Sequence, residues 1–435
     1  MNIRISNARI LTMADGMKLT EGEIWIRGKR IAYIGDGTNA DLACRGKERD
    51  GIVWDREIDA KGNLIMPGFK NAHTHSAMTF LRSYADDLPL QAWLNDRVFP
   101  MEAKLTGDDI RLLTKLAVLE YLTSGVTAFF DMYLTPETIA QAAEETGMRC
   151  VQTGAVNNFS QSTELVEEMY RKLNQEDSLN SYRIGFHAEY TCDKSLLERV
   201  SDLSHKYKAP VYTHNSETKR EVEDCIERSG MTPTQYLDSL GLFDYGGGGY
   251  HCVWLNDTDI EIFKRRGMHV ITNPASNLKL ASGIAPIQRY VNAGLNVAVG
   301  TDGPASNNCL DMFREMFLVA GLSKYLEQDA AAMDADKVLY MATAGGAAAM
   351  GLHDCDMLAE GKYADLIMID LAQPNMQPIH HITKNLVYSG SKQNVKMTMV
   401  NGEILYEDGS FHIGESPEVL YREAAKIVEG IKKAI

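Results

Sequence analysis

The stretch 126–155, VTAFFDMYLTPETIAQAAEETGMRCVQTGA, sets the pattern for most of the chain. An apolar strand (126–131) ends in Asp131, a helical segment follows (136–146), and a second apolar strand returns (149–155). Strands joined through a helix lie parallel in one sheet. Working outward, the same alternation predicts strands at 64–66, 183–187, 210–214, 249–253, 269–272 and 297–301, and helices at 108–123, 195–207 and 311–326. Eight strands with helices between most of them imply a parallel sheet, and the eightfold repetition implies closure into a (β/α)8 TIM-like barrel over 64–362. The run Gly246-Gly247-Gly248-Gly249 reads as a loop signal only.

Both ends of the chain have a different texture. Ile3, Ile5, Ala8 and Ile10 belong to one β-rich stretch, and 23–27 with 30–34 flank a Gly28-Lys29 turn in the manner of a hairpin. Near the other end, ADLIMID (364–370) and KMTMV (396–400) are short strands, and Asn401-Gly402 is a turn before Ile404.

The chain has 435 residues, enough for one large catalytic domain and a small accessory one. A formal charge of −15 argues against nucleic acid and an anionic membrane surface as partners. The seven cysteines are odd in number, scattered and free of any C-x-x-C pair, so neither a disulfide framework nor a cysteine zinc site is expected, and the reducing cytoplasm fits best. The first residues alternate apolar and polar types, unlike a signal peptide. No apolar run approaches the ~18–20 residues of a membrane span.

Residues able to do chemistry sit at or just after the expected strands: His73 and His75, Asp131, His187, His214, His251 and Asp302. In a (β/α)8 barrel every strand C-terminus opens on one face, so these side chains converge. His73 and His75, two apart on an extended backbone, point to one side and can bind one divalent metal. A pair of hydrogen-bonded histidines would satisfy the same spacing. Adding His214 and Asp302 gives three imidazoles and a carboxylate, with room left for water. His214 could equally be a satisfied core histidine and Asp302 a turn cap. Glu217, three residues after His214, is a candidate proton shuttle or a surface glutamate, and His251 a candidate water-orienting group or a core histidine.

Together the stretches MPGFKNAHTHSAMTFLRSYADDLPLQAWL (66–94), THNSET (213–218), HCVWLND (251–257), NPASNLKLASGIAPIQR (273–289), VGTDGPASNNCLDMF (299–313) and GKYADLIMID (361–370) resemble the amidohydrolase superfamily, in its 5-methylthioadenosine/S-adenosylhomocysteine deaminase branch. The resemblance implies a distorted barrel with a small β-sandwich built from 1–63 and 363–435, the C-terminal helix included. It implies one divalent metal, usually zinc with iron or manganese chemically admissible, on His73, His75, His214 and Asp302. Glu217 takes the shuttle position, His251 orients the water and Asp302 doubles as a base. Glu102 is expected at the ribose hydroxyls, His187 and Ser306 at the substrate, and Trp93 on the pocket wall. The stretch 82–96 is a candidate cover.

The activity implied is hydrolytic deamination of an adenosine-like nucleoside: 5-methylthioadenosine, S-adenosylhomocysteine, 5′-deoxyadenosine or adenosine. A cytoplasmic homo-oligomer, dimer or tetramer, is implied with it. Two departures stand out. His187-Ala188-Glu189-Tyr190 replaces the usual H-x-P-Y, and 152–158 contains no arginine of the kind that reaches the 5′ substituent in some members. The alternative readings are a deaminase or hydrolase of another heterocycle (guanine, cytosine or triazine type) and, more distantly, a non-catalytic assembly protein on the same barrel. A zinc deaminase of the H-x-E…P-C-x-x-C type is excluded by the missing C-x-x-C.

Overall fold

A computed structural model describes residues 1–14, 17–36, 52–84, 86–88 and 92–434. The N-terminal strands are β1 (Asn2–Leu11), β2 (Leu19–Arg27), β3 (Arg30–Gly35), β4 (Arg56–Asp59) and β5 (Leu64–Pro67). Eight parallel strands follow: β6 (Phe69–Thr74), β7 (Val126–Asp131), β8 (Arg149–Thr153), β9 (Asn180–Ala188), β10 (Val211–Asn215), β11 (Gly247–His251), β12 (Met268–Thr272) and β13 (Val297–Val299), in sequential spatial order. The chain ends with β14 (Leu366–Ile369), β15 (Val395–Val400), β16 (Glu403–Glu407), β17 (Ser410–Phe411) and a helix, Pro417–Ala434.

The eight-stranded sheet closes where its last strand returns to its first. His73 O accepts the N–H groups of Thr301 (3.1 Å) and Asp302 (3.0 Å). Asn71 adds a side-chain clasp, donating to Thr301 Oγ1 at 2.8 Å and accepting from Thr301 N at 2.9 Å. All six residues of β6 and all of β7, β8, β10 and β11 are buried, as strands covered on both faces require. The connecting helices carry their own start and stop signals. Thr218 and Glu221 form a capping box before Lys219–Ser229, and Pro136 opens a helix that Gly147 ends in the left-handed region.

The terminal strands form one nine-stranded mixed sheet in the order β17-β16-β15-β14-β5-β1-β2-β3, with β4 beside β1. A single core cluster draws Ile24 and Ile26 from one half and Met397 and Met399 from the other, so the sheet sandwiches its own interior.

Three expectations are corrected. The strand expected as the first of the barrel, 64–66, belongs instead to the terminal sheet. As β5 it pairs with β1 and β14, and the first barrel strand is β6, which itself contains His73. The glycine run is strand rather than loop over Gly247–Gly249. A Cβ at Gly247 would lie 1.8 Å from Val211 O, so a residue without a side chain is what lets β11 approach β10. The C-terminal helix, expected with the sandwich, packs along the barrel helix Gly107–Thr123, burying Leu420, Ala424 and Ile431 in the main core.

Barrel and sheet are joined by a buried ion pair. Arg149 at the start of β8 donates to both oxygens of Asp365 (2.7 and 3.1 Å), and Asn401 N donates to the same carboxylate. The six cysteines among the described residues are free. No helix among them is long and apolar enough to cross a membrane.

Candidate active site

The barrel brings His73, His75, His214, His251 and Asp302 to one end of the sheet. The donor atoms of His73, His75 and His214 lie within 4.8 Å of one another, and so do those of His73, His251 and Asp302. Asp302 Oδ1 is 3.2 Å from His75 Nε2 and 3.6 Å from His73 Nε2. The aspartate is held in the left-handed region (φ 58°), and its carboxylate accepts from Ser276 Oγ (2.5 Å), Ser306 Oγ (2.8 Å) and Gly303 N (2.8 Å).

The imidazoles are presented with a free nitrogen. His75 Nδ1 is 2.5 Å from Met132 O and His214 Nδ1 2.7 Å from His187 O, so each Nδ1 is the donor and each Nε2 is left as the nitrogen that can ligate; the Asp302 carboxylate beside it holds the His75 ring protonated up to about 9, a proton that a bound cation would displace. His73 is wholly buried and neither of its ring nitrogens has a hydrogen-bond partner. Burial pushes His73 down to about 3, so the ring is neutral, as a ligand must be. A buried orphan imidazole beside a carboxylate and two oriented imidazoles fits a bound cation and is costly otherwise. The cluster thus passes as a divalent-metal site on its own chemistry.

Glu217 and His251 face this cluster from the neighbouring strand ends. Glu217 Oε1 accepts from Ser282 Oγ at 2.9 Å, and Oε2 is 3.9 Å from His251 Nε2. His251 Nδ1 is 2.7 Å from Asn277 Oδ1. The turn after β10 that carries Glu217 is clamped by Glu221, whose carboxylate accepts from the N–H groups of Ser216 (2.9 Å), Glu217 (2.8 Å) and Thr218 (3.3 Å). Burial, with the Glu217 charge beside it, pushes the Glu221 carboxyl up to about 7.

A cavity of about 540 Å³ opens over these groups, and Glu102, His187, Trp93 and Ser306 all line it. Glu102 ends the short helix Phe99–Glu102 and accepts a 2.6 Å hydrogen bond from Tyr133 OH. Burial pushes its carboxyl up to about 7. His187 Nδ1 lies 3.1 Å from Thr191 Oγ1 while its carbonyl orients His214. The Ser306 hydroxyl is turned to Asp302. Asp131, at the end of β7, takes no place on the cavity wall and accepts Ser76 N instead, bracing the turn after His75. Glu189 faces away from the cavity and pairs with Arg228 at 2.7 Å. Within 82–96, residues 85 and 89–91 lie outside the described residues, and Trp93–Val98 forms one turn of π-helix.

The profile of the amidohydrolase family matches residues 64–405. The chain belongs to the amidohydrolase family. Among individual proteins it is similar to a 5-methylthioadenosine/S-adenosylhomocysteine deaminase of Pelotomaculum thermopropionicum, 40% identical over 93% of both chains. It is also similar to a 5′-deoxyadenosine deaminase of Methanothermobacter thermautotrophicus, 36% identical over 98% of each. Among solved structures, an adenosine deaminase from Xanthomonas campestris with bound zinc superposes with a TM-score of 0.92, at 31% identity, over 99% of this chain and 98% of that one. This amidohydrolase also holds supporting residues that the sequence did not single out: Tyr133, Glu221, Ser276, Asn277 and Ser282. Three of them lie in the 273–289 stretch that carried part of the resemblance, where their hydroxyl and amide types alone assign no partner.

Proposed function

We propose that this amidohydrolase removes the C6 amino group of an adenine ring in a small nucleoside by hydrolysis. The observation that carries the reading is the convergence in one cavity of an oriented imidazole–carboxylate cluster, the Glu217–His251 pair and, further out, the buried Glu102. His73, His75, His214 and Asp302 are the residues that would hold a divalent cation, and zinc suits this donor set best. Bound there, the cation supplies Lewis acidity that brings the pKa of a water towards ~7.

Proton movements fall to side chains. With Nδ1 engaged by Asn277 Oδ1, His251 turns Nε2 to the cavity, where it is placed to accept a hydrogen bond from the attacking water. Asp302 takes the proton that this water gives up, its other contacts being held by Ser276, Ser306 and Gly303. Glu217 is the group placed to deliver a proton to the ring nitrogen next to C6, so that the ring accepts the electron pair without becoming an anion. The oxygen–C6 bond forms. The proton on Asp302 then passes to the amino group, the C6–N bond breaks and ammonia leaves, while the remaining hydroxyl proton returns to Glu217 and leaves a carbonyl at C6. Glu102, when ionised, can accept both ribose hydroxyls, which is the contact a free base or a triazine would not use.

Glu217→Gln tests the assignment. Turnover of adenine nucleosides, followed by the ultraviolet change, should be abolished with metal content unchanged. Near-normal turnover in that variant would remove Glu217 from the shuttle role. Loss of discrimination between nucleoside and free base in Glu102→Ala is expected on the same reading.

A further inference from the structure

We infer that the outer part of the cavity is a subsite for an uncharged, largely apolar 5′ substituent and that it turns away one bearing a carboxylate or phosphate. The inference rests on the nucleoside reading above, which puts the base at the histidine cluster, the ribose at Glu102 and the 5′ group beyond it.

Two observations carry it. The first is charge. Among the described residues no lysine or arginine lines the cavity, whereas Glu102, Glu217 and Asp302 all do. A carboxylate or phosphate lodged in the outer part, away from the histidine cluster, would be desolvated with no lysine or arginine among the described residues to pair with. The nearest unexpected charge in the sequence, Glu189, brings no cation inward, because it binds Arg228 outside the cavity. Arg97 and Lys104 are exposed on the neighbouring segment, and neither lines the cavity.

The second is the rim. Phe99, Phe159 and Tyr190 line the cavity while remaining 46%, 90% and 40% exposed. Large aromatics left open around one concave site mark a surface that a ligand covers. Phe159 is not exposed for want of structure. Asn157 Oδ1 accepts from both Phe159 N (2.8 Å) and Ser160 N (2.9 Å), and Asn158 N donates to Thr191 O (3.0 Å), so the loop is pinned with the ring outward. Leu94 and Leu134 complete the apolar wall. A thioether or methyl group gains contact there, and a charged head loses hydration.

The test is a comparison of kcat/KM in the metal-loaded full-length protein for 5-methylthioadenosine, 5′-deoxyadenosine, S-adenosylhomocysteine and adenosine 5′-monophosphate. The uncharged substrates should exceed S-adenosylhomocysteine by on the order of tenfold or more, with the monophosphate lowest. Phe159→Arg, at a position too exposed to threaten folding, should lower the rate with 5-methylthioadenosine, raise that with S-adenosylhomocysteine, and so narrow the ratio. S-adenosylhomocysteine or the monophosphate within about twofold of 5-methylthioadenosine in the unaltered protein would overturn this inference alone. Turnover of none of the four by metal-loaded protein would overturn the nucleoside reading and this inference with it.

Discussion

Glu217 is held from two directions, and the hold is what makes one of its oxygens available. Ser282 occupies Oε1, Glu221 fixes the backbone on either side, and Oε2 is left towards His251. Removing the Ser282 hydroxyl frees the carboxylate to rotate without touching the metal cluster. Ser282→Ala should therefore lower kcat by roughly tenfold, with KM and metal content little changed, and Ser282→Thr should recover part of the loss. A KM effect alone would mean that Ser282 serves substrate binding. Glu102 gives a pH prediction. Burial raises its carboxyl to about 7, so at pH 6 most of it is protonated and can accept fewer hydrogen bonds from the ribose. KM for a nucleoside should fall as pH rises through about 7 and then level. Glu102→Gln, which cannot ionise, should show a higher KM with this limb gone. If the limb survives in the variant, another group titrates there.

The loops that bear the site are tied to each other by one carboxylate on a helix behind them. Glu315, on the helix Met312–Glu327, accepts from Ala275 N (3.0 Å) after β12 and from Asn307 Nδ2 (2.8 Å) after β13. Burial pushes it from 4.5 up to about 8. Between those values the folded chain binds more protons than the unfolded one, so stability falls as pH rises across the window. Relative to Glu315→Gln, whatever that variant's offset, the unaltered protein should lose stability between pH 5 and 8 in urea titrations. Parallel pH profiles would show that Glu315 ionises as freely as in the unfolded chain. At this scale the fold is legible in the sequence where periodicity and strand-end position carry the information. The strand 126–131 matches β7 residue for residue, and His73, His214, His251 and Asp302 meet because strand ends of a (β/α)8 barrel meet. The fold is not legible where composition is ambiguous. Leu64–Pro67 is a short apolar run with no period to say which sheet it joins, and Gly247–Gly249 signals a turn unless the closeness of β10 is known. Ser276, Asn277 and Ser282 become partners of Asp302, His251 and Glu217 only once the loop after β12 crosses the cavity.

The molecule as a whole depends on a joint between its two sheets. Arg149 and Asp365 are both buried, and the carboxylate also receives Asn401 N, so the pair couples β8 to the end of the chain. Breaking a buried pair from one side strands the other charge and costs about 3–5 kcal/mol. Asp365→Asn should lower the denaturant midpoint accordingly, whereas a loss below about 1 kcal/mol would mean that water reaches Arg149 in its place. The barrel seam has a consequence for how the chain is made. Asn71 and Thr301 are 230 positions apart, and the clasp between them sits directly beside His73 and Asp302. On the ribosome the early histidines emerge long before their aspartate, and a chain halted partway has no finished cage for an ion. On the proposed ligand set, metal uptake should report ring closure: a barrel opened at the Asn71–Thr301 clasp should stay unloaded.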